Sequence, residues 1–190
     1  MRPAFLIPGL VLLALIWLAP LDELLPLFAA HMLRHMVLVA LATPLIVIGL
    51  PRLAERVVVP PLAAAVVEFL VVWAWHLPVL HAFGRLRDLG FVAEQASFLA
   101  VGLLVWAGCL RRAQPLAGAG GLLLTSMHMT LLGALLVLAP RDIYFDLCGT
   151  EPNQSGQQIG GMLMLAIGTP VYLAGGLWMT GLALRERGLA

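Results

Sequence analysis

Six long runs of apolar residues constrain the fold of this chain more than any other feature. A helix needs about 20 mostly apolar residues to cross the hydrocarbon core of a bilayer, and the six runs are close to or above that length. The runs are residues 4–19, 27–50, 57–75, 89–110, 118–139 and 159–184. The sequence therefore predicts an all-α membrane protein: a polytopic bundle of six transmembrane helices that forms a single domain over residues 1–190.

The charge content supports this class and excludes one kind of partner. Hydrophobic residues make up 62% of the chain and charged residues only 11%, whereas about 25% of a soluble domain is charged. All eleven basic residues are arginines and they are scattered. No basic tract is present that would neutralise a run of phosphates, so nucleic acid is not an expected partner.

The distribution of arginines predicts the orientation in the membrane, because positively charged loops stay in the cytoplasm. With both termini inside, seven arginines lie on the cytoplasmic side, three lie in outer loops and Arg34 lies within a span. The seven are Arg2, Arg52, Arg56, Arg111, Arg112, Arg185 and Arg187. We also expect the first run to be a retained helix, since no convincing small-x-small cleavage site follows it.

A few ionisable side chains fall inside the apolar runs, where they cost free energy and usually mark a functional interior. They are His31, Arg34, His35, Glu68, His76, Glu94 and His128. At a rise of about 1.5 Å per residue, the histidines and glutamates lie between the outer surface and the midplane of the bilayer. Their common depth predicts one buried polar cluster in the outer half of the membrane.

The histidines of this cluster have the spacing of metal ligands. His31 and His35 are four residues apart, so one face of a helix carries both imidazoles. We predict that His76 and His128 are further ligands and that Glu68 and Glu94 balance the charge of the ion. Thioethers lie next to the histidines, at Met32, Met36, Met127 and Met129. Imidazole with thioether is a ligand set that suits copper, above all Cu(I).

Each of these residues also has a plainer interpretation. A methionine in a membrane helix commonly fills space in the packing, and buried histidines form hydrogen bonds between helices. His81 follows Pro78 in a predicted loop, where we expect it to be solvated. Cys109 and Cys148 are expected at opposite faces of the membrane, and without a CxxC motif they give no signal of a metal site.

Five segments in a defined order make the chain resemble the CtaG-like cytochrome c oxidase assembly factors of bacteria. They are His31-Met-Leu-Arg-His35-Met, residues 42–51, Trp75-His76-Leu-Pro78 followed by His81, residues 94–99 and residues 157–164. The family commonly has Glu-His where this chain has Glu94-Gln95. The resemblance implies a multi-pass protein of the bacterial inner (cytoplasmic) membrane, needed for maturation of a haem-copper oxidase through supply of copper.

Three functions follow from these observations. The first is a copper-binding, non-enzymatic chaperone, with an oxidase subunit or a periplasmic copper carrier as its partner and a second copy of the chain as a further candidate. The second is a b-type haem protein that transfers electrons, with two imidazoles from facing helices as axial ligands. The third is a copper or proton transport protein with buried relay groups. No nucleophile triad, phosphate loop or paired catalytic carboxylates indicate an enzyme.

Overall fold

The computed structural model describes residues 1–149, 151–186 and 188, and over these residues it consists of helices and short connections without a strand. Each of the six predicted apolar runs is helical over most of its length, either in one helix or in consecutive helical segments. The α-helices are α1 (Pro3–Leu18), α2 (Leu21–Leu24), α3 (Leu27–Met36), α4 (Thr43–Gly49), α5 (Pro51–Ala54), α6 (Pro61–His76), α7 (Pro78–Leu86), α8 (Asp88–Cys109), α9 (Pro115–Leu138), α10 (Phe145–Cys148), α11 (Gln154–Leu163) and α12 (Thr169–Glu186). Two π-helical segments, π1 (Val37–Ala42) and π2 (Met164–Gly168), join α3 to α4 and α11 to α12.

Four of these helical stretches are long and apolar enough to cross a bilayer. They are Leu27–Gly49, Asp88–Cys109, Pro115–Leu138 and Gln154–Arg185. Helices α6 and α7 form a fifth candidate, bent by 75° between them. Helix α1 has 16 residues and is therefore about 24 Å long, less than the hydrocarbon core of about 30 Å.

The structure thus has the helices of a membrane protein with four or five candidate spans. The sixth span and the cytoplasmic location of both termini stay predictions. Arg187, one of the residues on which the orientation rests, lies outside the described residues. The third run begins its helix at Pro61 instead of residue 57, because proline fits the first turn of a helix and disfavours helical backbone in the residue before it.

The two π-helical segments each precede a Thr-Pro pair, Thr43-Pro44 and Thr169-Pro170. Proline lacks an N–H and its ring crowds the carbonyl four residues earlier, so a regular α-helix is disrupted at both places. Segment π1 also presents the Val39 carbonyl to its neighbours, where it accepts hydrogen bonds from the Trp106 indole at 2.8 Å and the Tyr172 hydroxyl at 2.9 Å. Segment π1 therefore ties the second span to α8 and α12.

Helix α9 packs against α6, α8, α11 and α12, and α11 packs in turn against α3. The backbones of α9 and α11 meet closely at a pair of glycines, where a Cβ on Gly161 would lie 2.8 Å from the Gly133 carbonyl oxygen. Small residues permit such close helix contacts in membranes. Helix α1 lies at the edge of the bundle, with the Arg2 backbone N–H donating to the Gly49 carbonyl at 2.7 Å.

The close contact between α7 and α8 gives a first testable prediction. A Cβ on Gly90 would overlap the Phe83 carbonyl of α7, so Gly90→Ala must push the two helices apart. We expect a loss of stability of about 1–3 kcal/mol, measured by thermal unfolding in detergent. Gly181→Ala in α12 is the matched control, because nothing lies within 4 Å of the added Cβ. Equal unfolding midpoints for the two variants would contradict the packing described here.

Candidate metal centre

Two imidazoles and a carboxylate meet in the interior of the bundle and form what we call the outer trio: His31 and His35 from α3 and Glu94 from α8. The His31 Nε2 lies 3.2 Å and the His35 Nε2 3.6 Å from the Glu94 Oε1. One ligand atom from each residue lies within 4.8 Å of the others. All three side chains are shielded from solvent, with 1% exposure or less.

The outer trio follows from the spacing within α3 and the register between α3 and α8. The two histidines lie on one helical face because they are four residues apart, and their ring centroids are 4.2 Å apart. Helix α8 approaches π1 so closely that a Cβ on Gly102 would lie 3.0 Å from the Val39 Cα. His31 precedes Val39 by the same eight residues by which Glu94 precedes Gly102, so two parallel helices bring them together.

The environment of Glu94 requires a positive charge. The nearby basic residue Arg34 is paired elsewhere, with guanidinium nitrogens 2.8 and 3.0 Å from the carboxylate of the partly exposed Asp22. That hydrogen-bonded pair holds the pKa of Asp22 below its ordinary value. The pair therefore persists through the neutral range and weakens only as the pH falls towards that lowered pKa. A proton on the carboxyl itself, a proton on an imidazole or a metal ion remains to compensate Glu94, since a buried unpaired charge is costly.

Two further histidines flank the outer trio. The His76 Nδ1 donates its proton to the Val72 carbonyl at 2.6 Å. The lone pair of the ring is therefore on Nε2, which is buried and has no partner among the described residues. A backbone acceptor of this kind fixes the tautomer of many metal-binding histidines. The His76 ring centroid lies 6.1 Å from that of His35, and the His81 centroid lies 5.0 Å from that of His31.

A family model described as cytochrome c oxidase caa3 assembly factor matches residues 2–186. The chain belongs to this family. Neither a curated protein nor a solved structure matches it. The match confirms the family that the ordered motifs indicated, and it covers nearly the whole length of this assembly factor.

The assembly factor has a second buried polar group, the Glu68 cluster, which consists of Glu68, Thr125, His128 and Tyr172. The Glu68 Oε2 lies 3.0 Å from both the Thr125 Oγ1 and the His128 Nε2, and its Oε1 lies 3.0 Å from the Tyr172 hydroxyl. The four side chains come from α6, α9 and α12. Two of the predicted site residues, Glu68 and His128, thus contact each other instead of the outer trio.

The four methionines predicted as thioether ligands point in several directions. Met127 is 69% exposed on the outside of α9. Met32 packs against Gly160 of α11, where an added Cβ would lie 2.8 Å from the Met32 Cγ. Met36 and Met129 both pack beside Gly168 of π2. Three of the four thus face α11 or π2, while Glu94 approaches the histidines from α8. A ligand role for the thioethers stays a prediction.

Two residues near the site were misjudged or missed from the sequence. The prediction that His81 is solvated in a loop is wrong: it lies in α7 with 3% exposure, because the bend between α6 and α7 folds this helix over α8 and against Phe28 and Tyr144. The Gln95 amide nitrogen lies 3.3 Å from both the Glu94 Oε2 and the His35 Nε2. The position of Gln95 beside Glu94 is a signal that could have identified it as a neighbour of the metal centre.

Proposed function

We propose that this assembly factor is a copper chaperone that holds a copper ion at the outer trio during maturation of a haem-copper cytochrome c oxidase. The observation that carries the proposal is the convergence of the His31 and His35 imidazoles with the Glu94 carboxylate, at ligand atoms within 4.8 Å of one another. Imidazole suits copper. The protein binds and releases the ion without catalysing a reaction.

The charge of the outer trio favours the cuprous ion. Two neutral imidazoles and one carboxylate carry a net charge of −1, which a monovalent ion cancels. A divalent ion would leave an excess positive charge in an apolar interior, where net charge is costly. The buried Nε2 of His76, with its lone pair available, supports this residue as a further ligand that a small shift of α6 would bring to the ion.

The direct contacts within the outer trio make it less suited to haem than to a single ion. Haem with two axial histidines places the macrocycle between the imidazoles, whereas the His31 and His35 rings are edge to face at 4.2 Å and belong to one helix. Visible absorption of the purified protein tests this alternative, since a Soret band would indicate haem. Elemental analysis of the same sample identifies a bound metal.

The position of the outer trio suits exchange with partners on the periplasmic side. His31 is the fifth residue of the span that begins at Leu27, so it lies about 6 Å below the end of that helix. The partners that this location supports are an oxidase subunit that receives copper and a periplasmic carrier that provides it. The location also assumes the predicted orientation in the bacterial inner membrane.

The copper content of purified variants tests the proposal. We expect the copper content of His31→Ala and of His35→Ala to be at least about tenfold lower than that of the wild type, because each variant lacks a ligand of the ion. His128→Ala is the matched control, since it removes a buried imidazole that contacts Glu68 instead. Equal copper in the wild type and in both outer-trio variants would refute the assignment of the site.

A further inference from the structure

An open cavity of about 250 Å³ lies at the outer end of the bundle, and His81, which lines it, packs against His31 of the outer trio. His81 and Cys148 both line it, together with the carboxylates of Asp142 and Glu151 and the guanidinium of Arg85. Two acids against one base give the cavity a net negative charge, which attracts cations. A positive ion that approaches from the periplasmic side therefore meets this cavity before it reaches the buried histidines.

His81 is the buried ligand of this cavity. The side chain is only 3% exposed, and its Nδ1 finds no hydrogen-bond partner among the described residues. An unpaired buried ring nitrogen costs free energy, and a rotation of the ring that turns Nδ1 from the interior towards the cavity would let a bound ion recover that cost. The imidazole also borders the outer trio, because its ring centroid is 5.0 Å from that of His31.

Cys148 brings a thiol to the same cavity. Tyr144 caps the start of the single turn α10, and the Cys148 backbone N–H at the end of that turn donates to the Tyr144 carbonyl at 3.0 Å, so the two side chains lie on one side of the turn. The Tyr144 ring packs on the His81 imidazole with centroids 4.3 Å apart, and this face of α10 therefore lies towards His81. Burial raises the pKa of the Cys148 thiol, so it is protonated at neutral pH.

We propose that His81 and Cys148 form an outer site that takes up a cuprous ion and passes it to the outer trio. This inference rests on the proposed function. A thiol with an imidazole is a soft donor pair that favours Cu(I) over calcium or magnesium. As the Cu–S bond forms, the thiol releases its proton to water. When the ion moves to His31, the thiolate takes a proton back, and copper remains Cu(I) throughout.

Alkylation of Cys148 in the purified full-length protein tests the outer site. The metal-free protein in detergent is treated with a maleimide under anaerobic conditions, with and without Cu(I) from an ascorbate-reduced copper salt. We expect Cu(I) at about ten times its dissociation constant to slow alkylation of Cys148 about tenfold. In His81→Ala and His81→Gln this protection should largely disappear, because a lone thiol binds the ion more weakly.

Two controls accompany the alkylation experiment. Cys109 is fully buried, with its thiol against the Pro61 carbonyl, so its alkylation in any variant reports loss of the fold. The His31→Ala/His35→Ala double variant should keep the protection of Cys148 while it loses stably bound copper. If the proposed copper centre were wrong and the outer site right, protection would still depend on His81.

The inference is overturned if Cu(I) does not protect Cys148 in the wild type, or if protection persists in both His81 variants while Cys109 stays unreactive. Loss of protection in the double variant would also overturn it, since the thiol would then be covered only by an ion in the outer trio.

A measurement of the rate of copper loading tests the inference without the His81 variants. Cys148→Ala should load copper several-fold more slowly than Cys109→Ala and reach the same final content; equal loading rates would contradict the inference.

Discussion

A Glu94→Gln variant is expected to lose copper although all five histidines remain. The glutamine keeps the volume of the side chain but removes the one negative charge of the outer trio, so the cuprous ion would become an uncompensated charge in an apolar interior. We expect copper affinity to fall at least about 100-fold, which corresponds to about 2.7 kcal/mol. Competition with a chromophoric Cu(I) chelator measures the affinity in detergent.

The neighbouring amide provides the matched control for Glu94. Gln95→Ala removes a side chain that contacts both Glu94 and His35 at 3.3 Å, but it leaves the charge of the outer trio unchanged. Its effect on affinity should be about tenfold, at the lower end of the range of about 10–100-fold for groups that orient a ligand. Copper affinity of Glu94→Gln equal to that of the wild type would show that the carboxylate does not serve the ion.

A Glu68→Ala variant is expected to have the opposite phenotype, with a large loss of stability and an unchanged copper content. The substitution leaves the Thr125 hydroxyl and the His128 Nε2 without a partner and removes one of the two acceptors near the Tyr172 hydroxyl, which keeps the Val39 carbonyl. Each buried polar group left unpaired costs about 1–3 kcal/mol, so we expect a total loss of about 3–5 kcal/mol. Thermal unfolding in detergent measures this loss.

Glu68→Gln separates hydrogen bonding from charge in the same position. The amide retains an oxygen that accepts a hydrogen bond, so most of the stability should return. Copper content measured beside the unfolding midpoint then distinguishes the two buried glutamates: Glu94 for binding the ion and Glu68 for joining α6, α9 and α12. Loss of copper in both Glu68 variants, with the fold intact, would place Glu68 at the metal centre instead.

The contrast between the two glutamates shows where sequence reasoning succeeded and where it did not. Their depths in the bilayer follow from helix geometry, and both are buried as expected. Depth alone does not say which neighbours a side chain faces, because rotation of a helix about its axis changes the face without changing the depth. The single polar cluster predicted from a common depth is therefore two, the outer trio and the Glu68 cluster.

Features that depend on a single helix were predictable from the sequence, whereas the separation of the two clusters depends on how several helices pack. The apolar runs identify the helices because each buries its own backbone hydrogen bonds, whatever its neighbours. The pairing of His31 with His35 depends only on the period of one helix. The ordered motifs also indicated the family, and the match over residues 2–186 confirmed it.

The sequence by itself determined that this protein is a helical membrane protein with a His31/His35 pair in one of its spans. Only the tertiary structure decided that Glu94 completes the pair, that His128 joins Glu68, and that the bend before α7 buries His81 over the site. Interactions within a helix depend on residue spacing. Interactions between helices depend on axial rotation, register and close contacts such as that between Gly102 and Val39, which involve residues far apart in the chain.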